Sequence, residues 1–261
     1  MSAFALPALF AHRLGRAYGP DSSLCALRDA LAAPLEGLET DVCLTADGGL
    51  VLLHDPLLPL NTGLEGWAHE RTAAEIRSSF IRDASGSLST EHPLELSDLL
   101  AAVPDEVVVQ LEVKAHADRD LAVRTAAAIC DRLRREPRRR RIEVISFHGE
   151  ACALAAARGF ASRLVVWAEY APEALAAWAV KRGVAGVSIE HFLLSERLVG
   201  VLRLAGLSIN TGTVNHPELL TRVAEHRPDA VCTDRPHELR AESVELLGRV
   251  DAAGARLAAS A

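Results

Sequence analysis

Apolar runs recur along the chain at residues 8–12, 37–44, 50–54, 107–113, 142–147, 163–168, 184–189, 207–211 and 229–233. Between most of them the apolar positions move to a three-to-four-residue spacing among Ala and Leu, as in 22–33, 120–135, 172–182, 195–205 and 217–226. The first pattern predicts β-strands and the second predicts amphipathic helices. Strands that alternate with helices imply a parallel sheet covered by helices. The runs 37–44 and 50–54 flank the turn Ala46-Asp47-Gly48-Gly49 and count as one unit, which leaves about eight units. Eight units predict an α/β protein closed into a (β/α)8 TIM barrel. The alternative is an open, doubly wound sheet, but no Gly-rich GxGxxG follows the first strand, so the nucleotide-binding form of that fold lacks its fingerprint.

The rhythm breaks between Pro56 and Pro93. This stretch holds Pro59, Asn61, Gly63, Gly66 and Gly86, with one brief helical candidate over 72–79. A long irregular segment in a compact fold is more often functional than accidental. We therefore expect an insertion after the second strand, residues 56–93, acting as a lid over the site that His54 introduces. The rest of the chain fits one domain over 1–261, because 261 residues at 49% hydrophobic can bury a large core and a barrel uses this whole length.

Charge and cysteine content narrow the partners. A net charge of −7 disfavours bulk attraction to nucleic acid or an anionic membrane, although a local positive site can still hold a phosphate. The basic run Arg134, Arg135, Arg138, Arg139, Arg140 and Arg141 ends a helical segment, where cations meet the negative end of the helix dipole, and is expected to be a solvated helix end. The five cysteines, Cys25, Cys43, Cys130, Cys152 and Cys232, show neither CxxC nor zinc spacing and are expected to be reduced and buried. Met1 to Phe10 is too short for a signal peptide, and no uncharged stretch approaches the ~18 residues of a membrane span. The expectation is a cytoplasmic protein without stable membrane association, acting on a small molecule. No heptad or apolar stripe sets an oligomeric state.

Three short segments carry the candidate chemistry: Ala11-His12-Arg13, Glu39-Thr40-Asp41 with His54-Asp55, and Glu112-Val113-Lys114. Residues i and i+2 of a strand share a face, so Glu39 projects with Asp41 and Glu112 with Lys114. At the carboxyl ends of barrel strands, Glu39, Asp41 and Glu112 would converge. Three carboxylates without a cysteine favour one hard divalent cation, Mg2+ or Ca2+, over zinc. Taken singly, each acid could instead cap a helix or pair with a surface cation. Two carboxylates aimed the same way from an apolar strand are harder to explain without a shared cation. His12 and His54 stand where buried strands emerge and fit a general acid and a general base, with a hydrogen-bonded packing role as the alternative for either alone. Arg13 could hold phosphate oxygens through its planar fork, and Lys114 could neutralise transition-state charge or simply pair with Glu112 or Glu39.

These same residues resemble the glycerophosphodiester phosphodiesterase family. The likeness runs through Phe10-Ala11-His12-Arg13, Tyr18-Gly19-Pro20-Asp21, Gly37-Leu38-Glu39-Thr40-Asp41-Val42, Leu44-Thr45-Ala46-Asp47-Gly48 and His54-Asp55-Pro56. It continues in Pro93-Leu94-Glu95-Leu96, Leu111-Glu112-Val113-Lys114, Ser146-Phe147, Thr213-Val214-Asn215 and Cys232-Thr233-Asp234-Arg235-Pro236. The resemblance implies a TIM barrel, a divalent metal on Glu39, Asp41 and Glu112, and acid/base catalysis by His12 and His54. It also implies cleavage of a glycerophosphodiester to sn-glycerol 3-phosphate and an alcohol, with the substrate's glycerol 2-hydroxyl as nucleophile and a cyclic phosphate that water then opens.

The chain departs from the family pattern at Leu14, where glycine is usual after His-Arg, and at Pro20-Asp21-Ser22-Ser23. It departs again at Leu58-Pro59-Leu60-Asn61-Thr62-Gly63, and at Gly212 in place of tryptophan. All four are expected around the mouth of the site, so that chemistry is kept and substrate preference is altered. Two other readings stand beside the leading one. A lipid-directed phospholipase D or sphingomyelinase D activity is disfavoured by the expected lack of export, and a barrel that binds a phosphodiester without turnover is disfavoured by the intact histidine and carboxylate set. Trp67 and Trp178 are expected to pack, Trp167 to line the pocket or the core, His148 and His191 to make local hydrogen bonds, and Asn215 and Asp234 to cap the helices that follow them.

Overall fold

The computed structural model describes residues 6–259, with side chains described through residue 248. Nine strands run β1 Ala8–Ala11, β2 Gly37–Leu44, β3 Leu50–Leu52, β4 Val108–Val113, β5 Ile142–Ser146, β6 Ala161–Val166, β7 Gly186–Glu190, β8 Ser208–Gly212 and β9 Ala230–Thr233. Eight of them are parallel and close on themselves in the order β1-β2-β4-β5-β6-β7-β8-β9, with β9 returning to β1. The strand β3 lies outside the ring, antiparallel to β2 with Val42 opposite Leu52. This is the (β/α)8 TIM barrel expected from the alternation, and the hairpin β2–β3 is the single unit that the Asp47-Gly48 turn implied.

The helices are α1 Leu24–Ala30, α2 Ala73–Arg77, α3 Leu96–Ala102, α4 Arg119–Leu133, α5 Gly149–Ala157, α6 Pro172–Arg182, α7 Glu196–Leu204, α8 Pro217–Glu225 and α9 Pro236–Ala259. Their starts follow local chemistry: Ser23, Asp118 and Ser195 accept the N–H of Ala26, Leu121 and Leu198, satisfying donors that the first helical turn leaves free. The helices α3, α5 and α9 fall outside the segments named from periodicity. In α5 the sequence Gly-Glu-Ala-Cys-Ala-Leu-Ala-Ala-Ala has too little polar contrast to mark a face. The helix α4 ends at Leu133, two residues short of the expected 135. The basic run beyond it is only partly a solvated end: Arg139 to Arg141 are exposed, but Arg138 turns inward and its guanidinium donates to the carbonyls of Leu100 and Val103.

Period-two alternation sorts the barrel strands into two surfaces. Outward side chains such as Leu38, Leu111 and Val144 meet Leu27, Leu99 and Ile129 of the helical layer, and on the far side Val187 and Ile209 meet Ala179 and Leu202. Inward side chains start at a floor of Phe10, Ala230 and Cys232 with Val108 packed against it. A Cβ at position 37 would lie 2.5 Å from the Phe10 ring, so only glycine lets this floor close. Above it sits a polar layer. Arg163 donates through Nε and Nη2 to the two oxygens of Glu143, each at 2.8 Å, and through Nη1 to Ser208 Oγ at 2.5 Å. Since β6 and β8 are not neighbours, this guanidinium ties strands together through the interior.

The insertion 56–93 has a small core of its own, where Leu58, Ala68, Ile76 and Ile81 pack on Cys43, Val51 and Leu53 of the hairpin. All five cysteines are free, with Cys25 half-buried and the other four buried. Among the described residues no helix is long and apolar enough to cross a membrane.

Candidate active site

The register of β2 and β4 sets Glu39 opposite Gln110 and Asp41 opposite Glu112. The three acids therefore face inward near the carboxyl end of the barrel, and each offers an oxygen within 4.8 Å of the other two. Lys114 Nζ donates to Glu112 Oε1 at 2.7 Å and lies 3.1 Å from Asp41 Oδ1. The backbone N–H of Arg13 donates to Glu39 Oε2 at 3.0 Å.

Positive charge is shared unevenly among the acids. Burial, then the charge of Asp41, pushes Glu39 up to about 8. Burial raises Glu112 as well, whereas for Asp41 the cations Lys114, His54 and Arg13 outweigh burial and hold it below the ordinary value. For Lys114 the charges of Asp41 and Glu112 outweigh burial, raise its value and keep it protonated. Asp41 Oδ2 is buried without a hydrogen-bond partner. Three converging hard oxygen donors, one pushed towards neutrality and one lacking a donor, fit a divalent cation.

Each histidine has its own carboxylate. His12 starts the turn after β1, and its Nδ1–H donates to Asp234 Oδ1 at 2.7 Å. Asp234 is fixed in turn by Asn215, which donates Nδ2–H to Oδ2 at 2.7 Å and accepts the Asp234 backbone N–H at 2.9 Å. His54 donates Nδ1–H to Asp55 Oδ2 at 2.9 Å, and Asn61 of the insertion bonds both the N–H and the carbonyl of Asp55. A carboxylate can only accept, so it keeps the hydrogen on Nδ1 and leaves Nε2 of both rings as the acceptor nitrogen of the neutral imidazole. Burial lowers the His12 value, but the Asp234 hydrogen bond and the Glu39 charge more than offset it.

These contacts correct the reading of Asn215 and Asp234 as helix caps: their side chains serve His12. The signal lay in the closure of the ring, where β1 pairs with β9 and Ala11 stands opposite Thr233. The placement of Leu14 is corrected too. Its side chain is fully buried in the main core, not at the mouth, and its backbone takes the left-handed φ of 61° in which glycine costs least.

One cavity of about 340 Å3 gathers all seven sequence-derived residues, His12, Arg13, Glu39, Asp41, His54, Glu112 and Lys114. Arg16, Phe147, Ser188 and Glu190 also reach its wall, and sequence reasoning had assigned none of them to it. Arg13 Nη1 donates to Asp21 at 2.5 Å, and Arg16 Nε lies 3.1 Å from the other oxygen of the same carboxylate, so the two guanidiniums share one counter-ion. The insertion, expected over the site, contributes no residue to the cavity wall and acts through Asn61 on the Asp55 backbone. Trp178 packs as expected, but Trp167 is 61% exposed, in neither core nor cavity. His148 Nε2 lies 2.6 Å from the His116 carbonyl oxygen, whereas His191 stacks edge-on with Phe192 and its Nδ1 has no hydrogen-bond partner.

Gly212 lies where the β8 backbone closes on β9, and a Cβ there would stand 2.7 Å from that of Cys232. Gly212→Ala is therefore expected to cost about 1–3 kcal/mol by overpacking. Denaturant midpoints of the variant and the native protein check this.

A model of the glycerophosphoryl diester phosphodiesterase family matches residues 12–238, from the first histidine into α9. The chain belongs to this family. It is 26% identical over 236 residues to a Mycobacterium tuberculosis protein named "Probable glycerophosphodiester phosphodiesterase 2", covering 85% of this chain and 84% of that one. Among solved structures it is similar to an Oleispira antarctica phosphodiesterase in complex with the product sn-glycerol-3-phosphate, at TM-score 0.78 and 22% identity over 92% of this chain and 97% of the other. A Parabacteroides distasonis glycerophosphodiester phosphodiesterase matches at TM-score 0.75 and 22% identity, covering 92% and 98%. The family match spans every element that brings a residue to the cavity.

Proposed function

We propose that this protein hydrolyses glycerophosphodiesters to sn-glycerol 3-phosphate and an alcohol, using one Mg2+ or Ca2+ held by Glu39, Asp41 and Glu112. The observation that carries the reading is the meeting of three buried carboxylates and two carboxylate-paired histidines in one cavity of a chain of this family. A divalent ion bound there would offset phosphoryl charge and favour ionisation of an attacking hydroxyl. Lys114 keeps its proton and places a fixed positive charge beside the acids, and Arg13 and Arg16, which share Asp21, stand at the wall to meet phosphate oxygens. One imidazole accepts at Nε2 the proton of the attacking hydroxyl. The other, protonated at Nε2, gives its proton to the departing alcohol oxygen as the glycerol 2-oxygen bonds to phosphorus and the P–O bond to the alcohol breaks; water then adds to phosphorus and opens the cyclic phosphate, with a proton returned to the 2-oxygen.

The test is release of glycerol 3-phosphate from glycerophosphocholine by purified protein with Mg2+, with Ca2+ and with chelator. Release that depends on either ion supports the reading; folded protein that releases nothing with any divalent ion removes it. Asp234→Asn tests the positioning of His12. An amide can donate as well as accept, so it no longer selects the Nδ1–H tautomer, and kcat is expected to fall by about 10–100-fold. KM should move much less, and Asp234→Glu should recover part of the loss, which a purely structural role would not predict.

A further inference from the structure

Four carboxylates reach the wall of the catalytic cavity, Glu39, Asp41, Glu112 and Glu190. The first three are answered from within the chain. Glu39 accepts the Arg13 N–H at 3.0 Å, Asp41 lies 3.1 Å from Lys114 Nζ, and Glu112 accepts from the same ammonium at 2.7 Å. Glu190 differs. It ends β7 half-buried, and among the described residues no donor or cation stands within hydrogen-bond or ion-pair reach of its side chain. Nor does it serve its own backbone: it precedes the 3-10 turn His191–Leu193, yet its side chain does not cap that turn. We propose that Glu190 is a specificity-determining residue whose carboxylate receives the primary ammonium of an amino-alcohol leaving group. This rests on the phosphodiesterase reading above.

Position and chemistry support the assignment. In the closed ring β7 stands opposite β2, so Glu190 faces Glu39 and Asp41 across the cavity. A divalent ion on the acids and the Lys114 ammonium would hold the phosphoryl group on the β2–β4 side, which leaves the alcohol arm to extend towards β7. The neighbouring strands do not compete for the carboxylate there. The register partner of Glu190 on β8 is Gly212, which has no side chain, and Val165 of β6 adds only hydrocarbon to the wall. Ser188, two residues earlier on the same face, brings a hydroxyl to the same wall. A carboxylate held partly out of water without a partner gains more from a cationic N–H than from a neutral hydroxyl, because charge-assisted hydrogen bonds are the stronger. A primary ammonium suits it better than a quaternary one. The latter has no N–H to donate and calls for an aromatic cage, whereas Phe147 stands in this wall without a Tyr or Trp, and its ring centroid lies 6.0 Å from Lys114 Nζ.

The experiment compares release of glycerol 3-phosphate from glycerophosphoethanolamine, glycerophosphocholine and glycerophosphoglycerol at pH 7 with the same divalent ion. The three alcohol arms end in a primary ammonium, a quaternary ammonium and a neutral hydroxyl. The native protein is expected to show a kcat/KM about tenfold higher for the ethanolamine substrate than for the glycerol one, with choline between them. Glu190→Gln keeps the shape of the side chain and removes its charge, and it should bring the three to within about twofold of one another, mainly through KM. Glu190→Lys should reverse the order and place ethanolamine last. Thermal unfolding checks that each variant is folded. A native protein without the ethanolamine preference overturns the assignment, as does a preference that survives Glu190→Gln, or an equal fall in kcat for all three substrates. In each of these cases glycerol 3-phosphate still appears and the phosphodiesterase reading stands. No release from any of the three by native protein with any ion overturns that reading and this one with it.

Discussion

His12→Ala is expected to lower glycerol 3-phosphate release by about 10²–10⁴-fold, the range for loss of a positioned general acid or base. Glu39→Gln is expected to lower it by at least about 10³-fold, because the charge stabilisation supplied at such a site amounts to several kcal/mol. The two losses differ in cause, and thermal unfolding separates them. A divalent ion at about 100 times its Kd stabilises the folded state by ~2.7 kcal/mol. His12→Ala keeps all three carboxylates and should keep most of that ion-dependent rise in Tm, whereas Glu39→Gln should lose it. The ion-free protein adds a pH signature with a definite sign. Glu39 is raised from its ordinary value to about 8, so between those two values the folded state holds a proton that the unfolded state has released. Without the ion, stability should fall as the pH rises through that window, and Glu39→Gln should flatten this dependence. A His12→Ala protein that no longer responds to the ion, or a Glu39→Gln protein that still does, would falsify the division of roles.

The parts of this site that could be read from the chain are those whose partners lie close in sequence. Glu39 and Asp41 are two residues apart on an apolar strand, as are Glu112 and the position of Lys114, and strand periodicity alone aims each pair one way. His54 and Asp55 are adjacent. Asp234 is 222 residues from His12, and nothing local distinguishes it from a helix cap until β9 closes on β1. Leu14 shows the reverse limit. Its place next to His12-Arg13 suggested the mouth, but the left-handed turn at Arg13 and Leu14 directs the leucine into the layer between barrel and helices. The helix α5 was missed because a face made of alanine differs little from its surroundings. The insertion's hydrophobic cluster lacks a period because it is built on 3-10 turns and isolated bridges.

The barrel interior below the site was the least legible part, and it carries the largest expected loss of stability. Arg163 and Glu143 each interrupt an apolar strand with a single charged residue, a pattern that could as well mark an edge strand facing water. The closed ring turns both inward, where the two ends of the guanidinium meet both carboxylate oxygens and Gln110 Nε2 donates to Glu143 at 2.7 Å. Burial works against the charge on Glu143, yet the Arg163 hydrogen bonds and charge, with Gln110, hold its carboxyl below the ordinary value. Such a depressed group contributes its full stability above the unfolded value and loses that contribution as the pH falls through the folded one. Arg163→Met keeps the length of the side chain and removes the cation, leaving a buried carboxylate with one amide donor. The expected cost at pH 7 is about 3–5 kcal/mol, the range for breaking a buried pair on one side only. Unpaired, Glu143 should then titrate above its ordinary value, so the sign of the pH dependence reverses. Acidification from pH 7 to 5 should raise the stability of Arg163→Met relative to the native protein and narrow the gap between them. Replacing both members, Arg163→Met with Glu143→Leu, should recover much of the loss, because two apolar groups leave no charge to desolvate. Urea midpoints of the single and double variants at the two pH values decide it: a gap that stays constant or widens on acidification would mean that the cost comes from packing around Arg163 and not from the stranded carboxylate.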